Sequence, residues 1–204
     1  MRRARVRGAT AGVAAIVAVA LLTACGPAPW SAEAEPEPDG TPTATVAPPV
    51  PNDLSSGSTQ RELQAGAVAS TVDYWSDLSM DRWTAGAVKP VSMSMVTSVT
   101  PADGQKVYLQ RASMLAIPAN ATETFDALSP QTDAATVSPG YLVLTPYSYS
   151  QTFNVGAVPA EATFVTLQFT FDYLVQTTPT SSEYAKQTAT DSLTVAIAAP
   201  PASD

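Results

Sequence analysis

The segment from Phe164 to Gln176 is compatible with one conformation. Val165, Leu167, Phe169, Phe171, Tyr173 and Val175 occupy alternate positions, with Thr166, Gln168, Thr170, Asp172 and Gln176 among the residues between them. A period of two puts these sets on opposite sides of an extended chain, so the segment reads as a strand with one buried and one wetted face. Val91, Met93, Met95 and Val99 alternate with Ser92, Ser94 and Ser98 in the same way. The Thr100-Pro101-Ala102-Asp103-Gly104 segment follows and leads into an apolar run from Lys106 to Ile117, a pattern that predicts a hairpin. Further strands are expected at 141–145, 151–157 and 193–198, separated by Pro139-Gly140, by Pro159-Ala160-Glu161 and by a polar loop at 177–182.

One stretch supports two readings. Thr59-x-x-Glu62 is a capping-box pattern, and Leu63, Ala67, Thr71, Tyr74, Trp75 and Leu78 would share a helical stripe. Against this, Gly66 weakens a helix by about 1 kcal/mol, and Val68, Ser70, Val72 and Tyr74 alternate as in a strand. An opening strand over 67–76 is the expectation. The chain is then mainly β, with residues 61–204 forming a single antiparallel β-sandwich of about seven strands. In outline it resembles an immunoglobulin-like sandwich, without the inter-sheet cysteines of antibody domains. That resemblance is architectural and implies no function.

The N-terminus carries the one specific functional signal. Arg2, Arg3, Arg5 and Arg7 precede an uninterrupted small and apolar run from Ala11 to Leu22, which ends in Leu22-Thr23-Ala24-Cys25. Spanning a bilayer takes about 20 helical residues, so this run is too short for a transmembrane helix. The order resembles a bacterial lipoprotein export signal ending in a lipobox. The resemblance implies that residues 1–24 are removed and that the Cys25 sulfur receives a diacylglycerol, which holds the protein at the extracytoplasmic face of the cell membrane. Two acyl chains make such anchoring stable where one is marginal.

Residues 25–60 are expected to form a tether. Eight prolines lie between Gly26 and Pro51, with Glu33, Glu35, Glu37 and Asp39 and then Ser55-Ser56-Gly57-Ser58. Few of these residues can bury anything, and proline removes backbone donors. Trp30 stands alone here and is suited to the membrane interface beside the lipid. Without its first 24 residues the chain has 6 basic against 18 acidic side chains, a formal charge of about −12. That balance argues against nucleic acid as a partner, because phosphate recognition depends on Lys and Arg. Cys25 is the only cysteine, so no internal disulfide can form. The tail at 198–204 holds no sorting motif and no apolar helix, so the anchor is expected at the N-terminus alone.

Familiar constellations of catalytic residues are missing. The absence of histidine excludes His-based triads and His-ligated metal sites. No Ser-x-x-Lys occurs, no two glycines lie two apart as dinucleotide loops need, and there is no EF-hand loop. Asp73, Asp77 and Asp81 would align on one helical face as oxygen ligands, but a solvated acidic face is the plainer reading. Asn120-Ala121-Thr122 matches a eukaryotic glycosylation sequon out of its context. No metal or cofactor is expected. Among the aromatics Tyr74, Trp75, Trp83, Tyr108, Tyr141, Tyr147, Tyr149 and Tyr184, the loop-proximal Trp83, Tyr147 and Tyr149 are the expected binding surface. The expectation is a non-enzymatic envelope module whose partner is an envelope protein or a cell-wall glycan. A carboxylate-only enzyme or accessory subunit and a small solute-capture lipoprotein stand as alternatives.

Overall fold

The computed structural model describes residues 49–199. Cys25, Trp30, the expected signal segment and most of the expected tether lie outside them. In chain order the strands are β1 (Ser58–Ala65), β2 (Val68–Trp75), β3 (Lys89–Val99), β4 (Val107–Ala119), β5 (Gln131–Ala134), β6 (Tyr141–Leu142), β7 (Tyr149–Val155), β8 (Phe164–Gln176) and β9 (Tyr184–Ala196). One sheet has the order β1-β2-β3-β7 and the other β5-β4-β8-β9, with β6 also paired to β4. All pairings between these strands are antiparallel.

The result is a β-sandwich with nine strands among the described residues, against the seven or so expected. β3 neighbours β7 in one sheet, while β4, β8 and β9 are neighbours in the other. These are the relations that B and E, and C, F and G, have in an immunoglobulin domain. The inward faces alternate as the sequence predicts: Val165, Leu167, Phe169, Phe171 and Tyr173 from β8 meet Val91, Met93 and Met95 from β3 in one core. The rings of Tyr74, Phe153 and Phe171 lie 4.9, 6.0 and 6.2 Å from that of Phe169. Tyr173 extends through the interior, its hydroxyl 2.9 Å from Ser70 Oγ and 2.9 Å from Met95 Sδ. Burial raises its pKa to about 12, against a smaller lowering by the Ser70 hydrogen bond.

One expectation is corrected and two are extended. β3 and β4 do not form a hairpin; they belong to different sheets, and residues 100–106 carry the chain between them. Both strands have one apolar face, and such faces pack as well across a sandwich as side by side in a sheet, so alternation alone does not separate the two cases. The ambiguous stretch is a strand from Val68 to Trp75, as favoured, but Ser58–Ala65 is a strand as well. The two form a hairpin whose two-residue turn has Gly66 at φ +55°, so the glycine that weakened a helix there serves a tight turn. The folded unit also reaches back past residue 61, because Leu54 is fully buried in the core and Asp53 bonds to β9.

With no disulfide available, polar side chains join the sheets at their margins. Asp53 Oδ2 accepts from Thr194 N at 2.7 Å, Asp53 N donates to Thr194 O at 2.8 Å, and Asp53 Oδ1 accepts from Arg61 Nη2 on β1 at 2.8 Å. Gln187 of β9 accepts from Ala67 N at the β1–β2 turn. At the opposite margin, Gln131 of β5 bonds both the N–H and the C=O of Asn154 on β7, and Tyr149 donates to Asp133 Oδ2 at 2.7 Å.

Lys89 is fully buried without a carboxylate partner. Its Nζ donates to the carbonyl oxygens of Thr84, Ala85, Ala87 and Gly156, at 3.2, 3.5, 2.6 and 2.9 Å, and so ties the β2–β3 connection to the end of β7. Burial lowers its pKa, which makes the backbone cage the term that keeps the ammonium in place. A Lys89→Met chain keeps the apolar stem but leaves these carbonyls without their donor. Urea denaturation is expected to show a loss of about 3 kcal/mol with an unchanged m-value.

Candidate functional site

The apolar alternation of β4 slips by one residue. Val107 and Leu109 face the core, and so do Ala112, Met114 and Ala116. The pairing with β8 shifts between Leu109 and Arg111, and Gln110 is the extra residue of a β-bulge. The bulge puts Tyr108 and Arg111 on the same outer face, whereas regular alternation would place residues three apart on opposite faces. Gly140 fits this irregularity closely: a Cβ there would lie 2.5 Å from Leu109 O.

Cross-strand register assembles the face. Tyr108 lies opposite Leu174, which lies opposite Lys186. Arg111 lies opposite Asp172, which lies opposite Thr188, and Gln176 lies opposite Tyr184. The rings of Tyr108 and Tyr184 meet edge to face at 5.9 Å, and both residues are half-buried. Beside them, Gln110, Thr136, Val137, Ser138, Pro139, Leu174 and Tyr184 line an open depression of about 460 Å³.

Asp172 is the electrostatic centre of the face. It points outward from β8 yet is only 4% exposed. Its Oδ2 accepts from Arg111 Nη2 at 2.6 Å and Nε at 3.0 Å, its Oδ1 accepts from Thr188 Oγ1 at 2.7 Å, and Lys186 Nζ lies 3.5 Å away. Burial pushes its carboxyl up; the hydrogen bonds from Thr188 and Arg111 and the charges of Lys186 and Arg111 outweigh that and hold it below its ordinary value of 3.8. One carboxylate thus serves two cations that remain about half exposed. Lys106, the residue before β4, is exposed. Three of the six basic residues after residue 24 therefore fall at one end of one sheet.

The expected binding surface is not assembled. Trp83 is fully buried, and its indole N–H donates to Ser76 Oγ at 3.1 Å. Tyr149 is 7% exposed; its ring stacks on Tyr141 at 5.8 Å, and burial together with the Asp133 hydrogen bond raises its pKa. Both belong to the packing, because nearness to a loop in sequence says little about which way an inward strand position or an arch residue points. Tyr147, 56% exposed, is the one of the three at the surface. Asp73 sits on β2 and accepts from Gln60, so the helical spacing that would align it with Asp77 and Asp81 does not arise. Among the described residues no three His, Cys, Asp or Glu side chains are grouped to hold a metal ion. Asn120 is engaged locally, its Oδ1 accepting from the N–H groups of Thr122 and Glu123.

Comparison with known proteins gives no match to a family model, a curated protein or a solved structure.

Asp172 supplies a measurable pH dependence. Because its folded-state pKa is depressed, its contribution is fully present above pH 3.8 and is lost as pH falls through the lower folded-state value. Asp172→Asn is expected to cost about 1–2 kcal/mol at pH 7, a range reduced for the half-exposed partners. In thermal melts its deficit against the unsubstituted protein should shrink below pH 3.8.

Proposed function

We propose that the chain is a lipid-anchored extracytoplasmic module of the cell envelope, a β-sandwich that binds an envelope component and catalyses no reaction. The observation that carries this reading is the order of basic start, short apolar run and Leu22-Thr23-Ala24-Cys25. Among the described residues no helix is long and apolar enough to cross a membrane. The lack of histidine and of nucleophile motifs supports a binding role over chemistry. The face around Tyr108, Arg111, Tyr184 and Lys186 is the place to look for the partner. Of the two classes of partner expected from the sequence, an envelope protein or a cell-wall glycan, the open polar depression on that face favours the glycan.

The anchor is tested on the native protein. Intact mass of membrane-extracted material should show an N-terminus at Cys25 with the added mass of diacylglycerol. Cys25→Ser should move the protein from the membrane fraction to the medium or the soluble fraction. An unmodified thiol at Cys25, or membrane association unchanged by Cys25→Ser, would overturn the reading.

A further inference from the structure

We infer that the outer face of β4, β8 and β9 around Tyr184 and Lys186 is a binding site for a polysaccharide containing hexuronic acid units. The inference extends the proposed glycan-binding role by naming the ligand class and the residues.

The argument begins with charge. The chain beyond its signal segment is strongly acidic, yet Lys106, Arg111 and Lys186 lie at one end of one sheet. The acids beside them are Asp172, which is buried under the pair it serves, and the exposed Asp103 and Glu183 at the rim. Arg111 and Lys186 share the single buried carboxylate of Asp172 and stay about half exposed, so with the exposed Lys106 three cations reach the surface there against two exposed acids. A surplus of exposed cations on an otherwise acidic molecule favours an anionic partner.

Shape and composition narrow the partner. Exposed large hydrophobics among the described residues are Val50, Val88, Val96, Val137 and Tyr147, and of these only Val137 lines the depression. A protein interface needs roughly 800 Å² per partner around an apolar centre, which this face does not offer. What it offers instead is one aromatic ring and Leu174 and Pro139 beside the amide and hydroxyl groups of Gln110, Thr136 and Ser138. That combination suits a pyranose, whose C–H face packs on apolar surface while its hydroxyls hydrogen-bond.

The spacing joins the two halves. Tyr184 and Lys186 are two residues apart on the same face of β9, which sets their Cα atoms about 6.8 Å apart along the strand. A hexuronate carries its carboxylate on the ring itself, so one sugar unit can lie beside Tyr184 while its charge meets Lys186. A polyol phosphate has the charge but no ring face.

The test uses the full chain extracted in mild detergent and titrated with oligogalacturonate at low salt. Dextran supplies a neutral comparison and polyglycerol phosphate a ringless anion. Saturable binding of oligogalacturonate is expected, weakened by added salt, with affinities at least about tenfold lower for dextran and polyglycerol phosphate. Tyr184→Ala and Lys186→Ala should each weaken binding about tenfold or more. Far-UV circular dichroism and the melting temperature report whether each variant still folds. Lys186→Arg, which keeps the charge, should restore most of the affinity and covers the case in which an alanine variant is unstable. Absent oligogalacturonate binding, equal affinity for dextran, tighter binding of polyglycerol phosphate, or binding only to an acidic peptide would each overturn the inference. So would folded Tyr184→Ala and Lys186→Ala chains that bind like the unsubstituted one. The anchor reading depends on the mass at Cys25 and this one on the titration, so either can fail alone.

Discussion

The sandwich depends on hydrogen bonds that cross between two sheets sharing no covalent link. A small sandwich can be pinned by a disulfide through its core, but a chain whose only cysteine is Cys25 has no such option. Its sheets meet through a continuous apolar interior, and their margins are joined by Asp53, Gln187, Gln131 and Tyr149. Each bond satisfies backbone or side-chain groups that would otherwise face a competing strand or be buried alone. The seam between β1 and β9 also carries inward-pointing charge: Arg61 and Asp191 flank the buried Tyr74, whose hydroxyl is pushed well above its ordinary range by burial and then by Asp191. Charged groups held inward at a sheet margin favour this closure over pairing with another chain.

The bulge at Gln110 links that architecture to the candidate face. A regular β4 would have to turn either Tyr108 or Arg111 into the core. With the extra residue, the strand keeps Leu109 and Ala112 inside while both polar-tipped side chains stay outside. Asp172 can then occupy a nearly dry position on an outer face, because Arg111, Thr188 and Lys186 satisfy it from the strands on either side. The backbone irregularity, the buried carboxylate and the two half-exposed cations form one arrangement. Close approach of Gly140 to Leu109 O brings the β5–β6 connection down beside it.

Much of the fold was legible because its determinants are local. The period-two runs of β3 and β8 marked their buried faces correctly, and a mainly β sandwich followed from them. The bulge in β4 was not read, because Leu115 and Ile117 keep apolar residues at odd positions beyond Ala112 and blur the change of register. Which sheet each strand joins was not legible: 100–106 as a tight turn and 100–106 as an arch between sheets need the same residues, and the difference lies in partners far along the chain. β1 was missed because Ser58, Gln60, Glu62 and Gln64 face solvent and leave a weak apolar signal on the other side. For the site, the sequence singled out aromatics near loops, and burial removed Trp83 and Tyr149. Tyr108, Arg111, Asp172, Tyr184 and Lys186 come together only through the register of three strands, which no linear spacing encodes.

Gln131 offers a last consequence. Its primary amide meets both the N–H and the C=O of Asn154, so a single side chain stands in for one residue of a missing neighbour beside β7. On the proposed lipid anchor, copies would be confined to a plane, where local concentration is high and open sheet margins tend to zip together. A margin already occupied by an amide surrogate gives a neighbouring copy less to extend, and would keep a crowded layer of such domains from polymerising edge to edge.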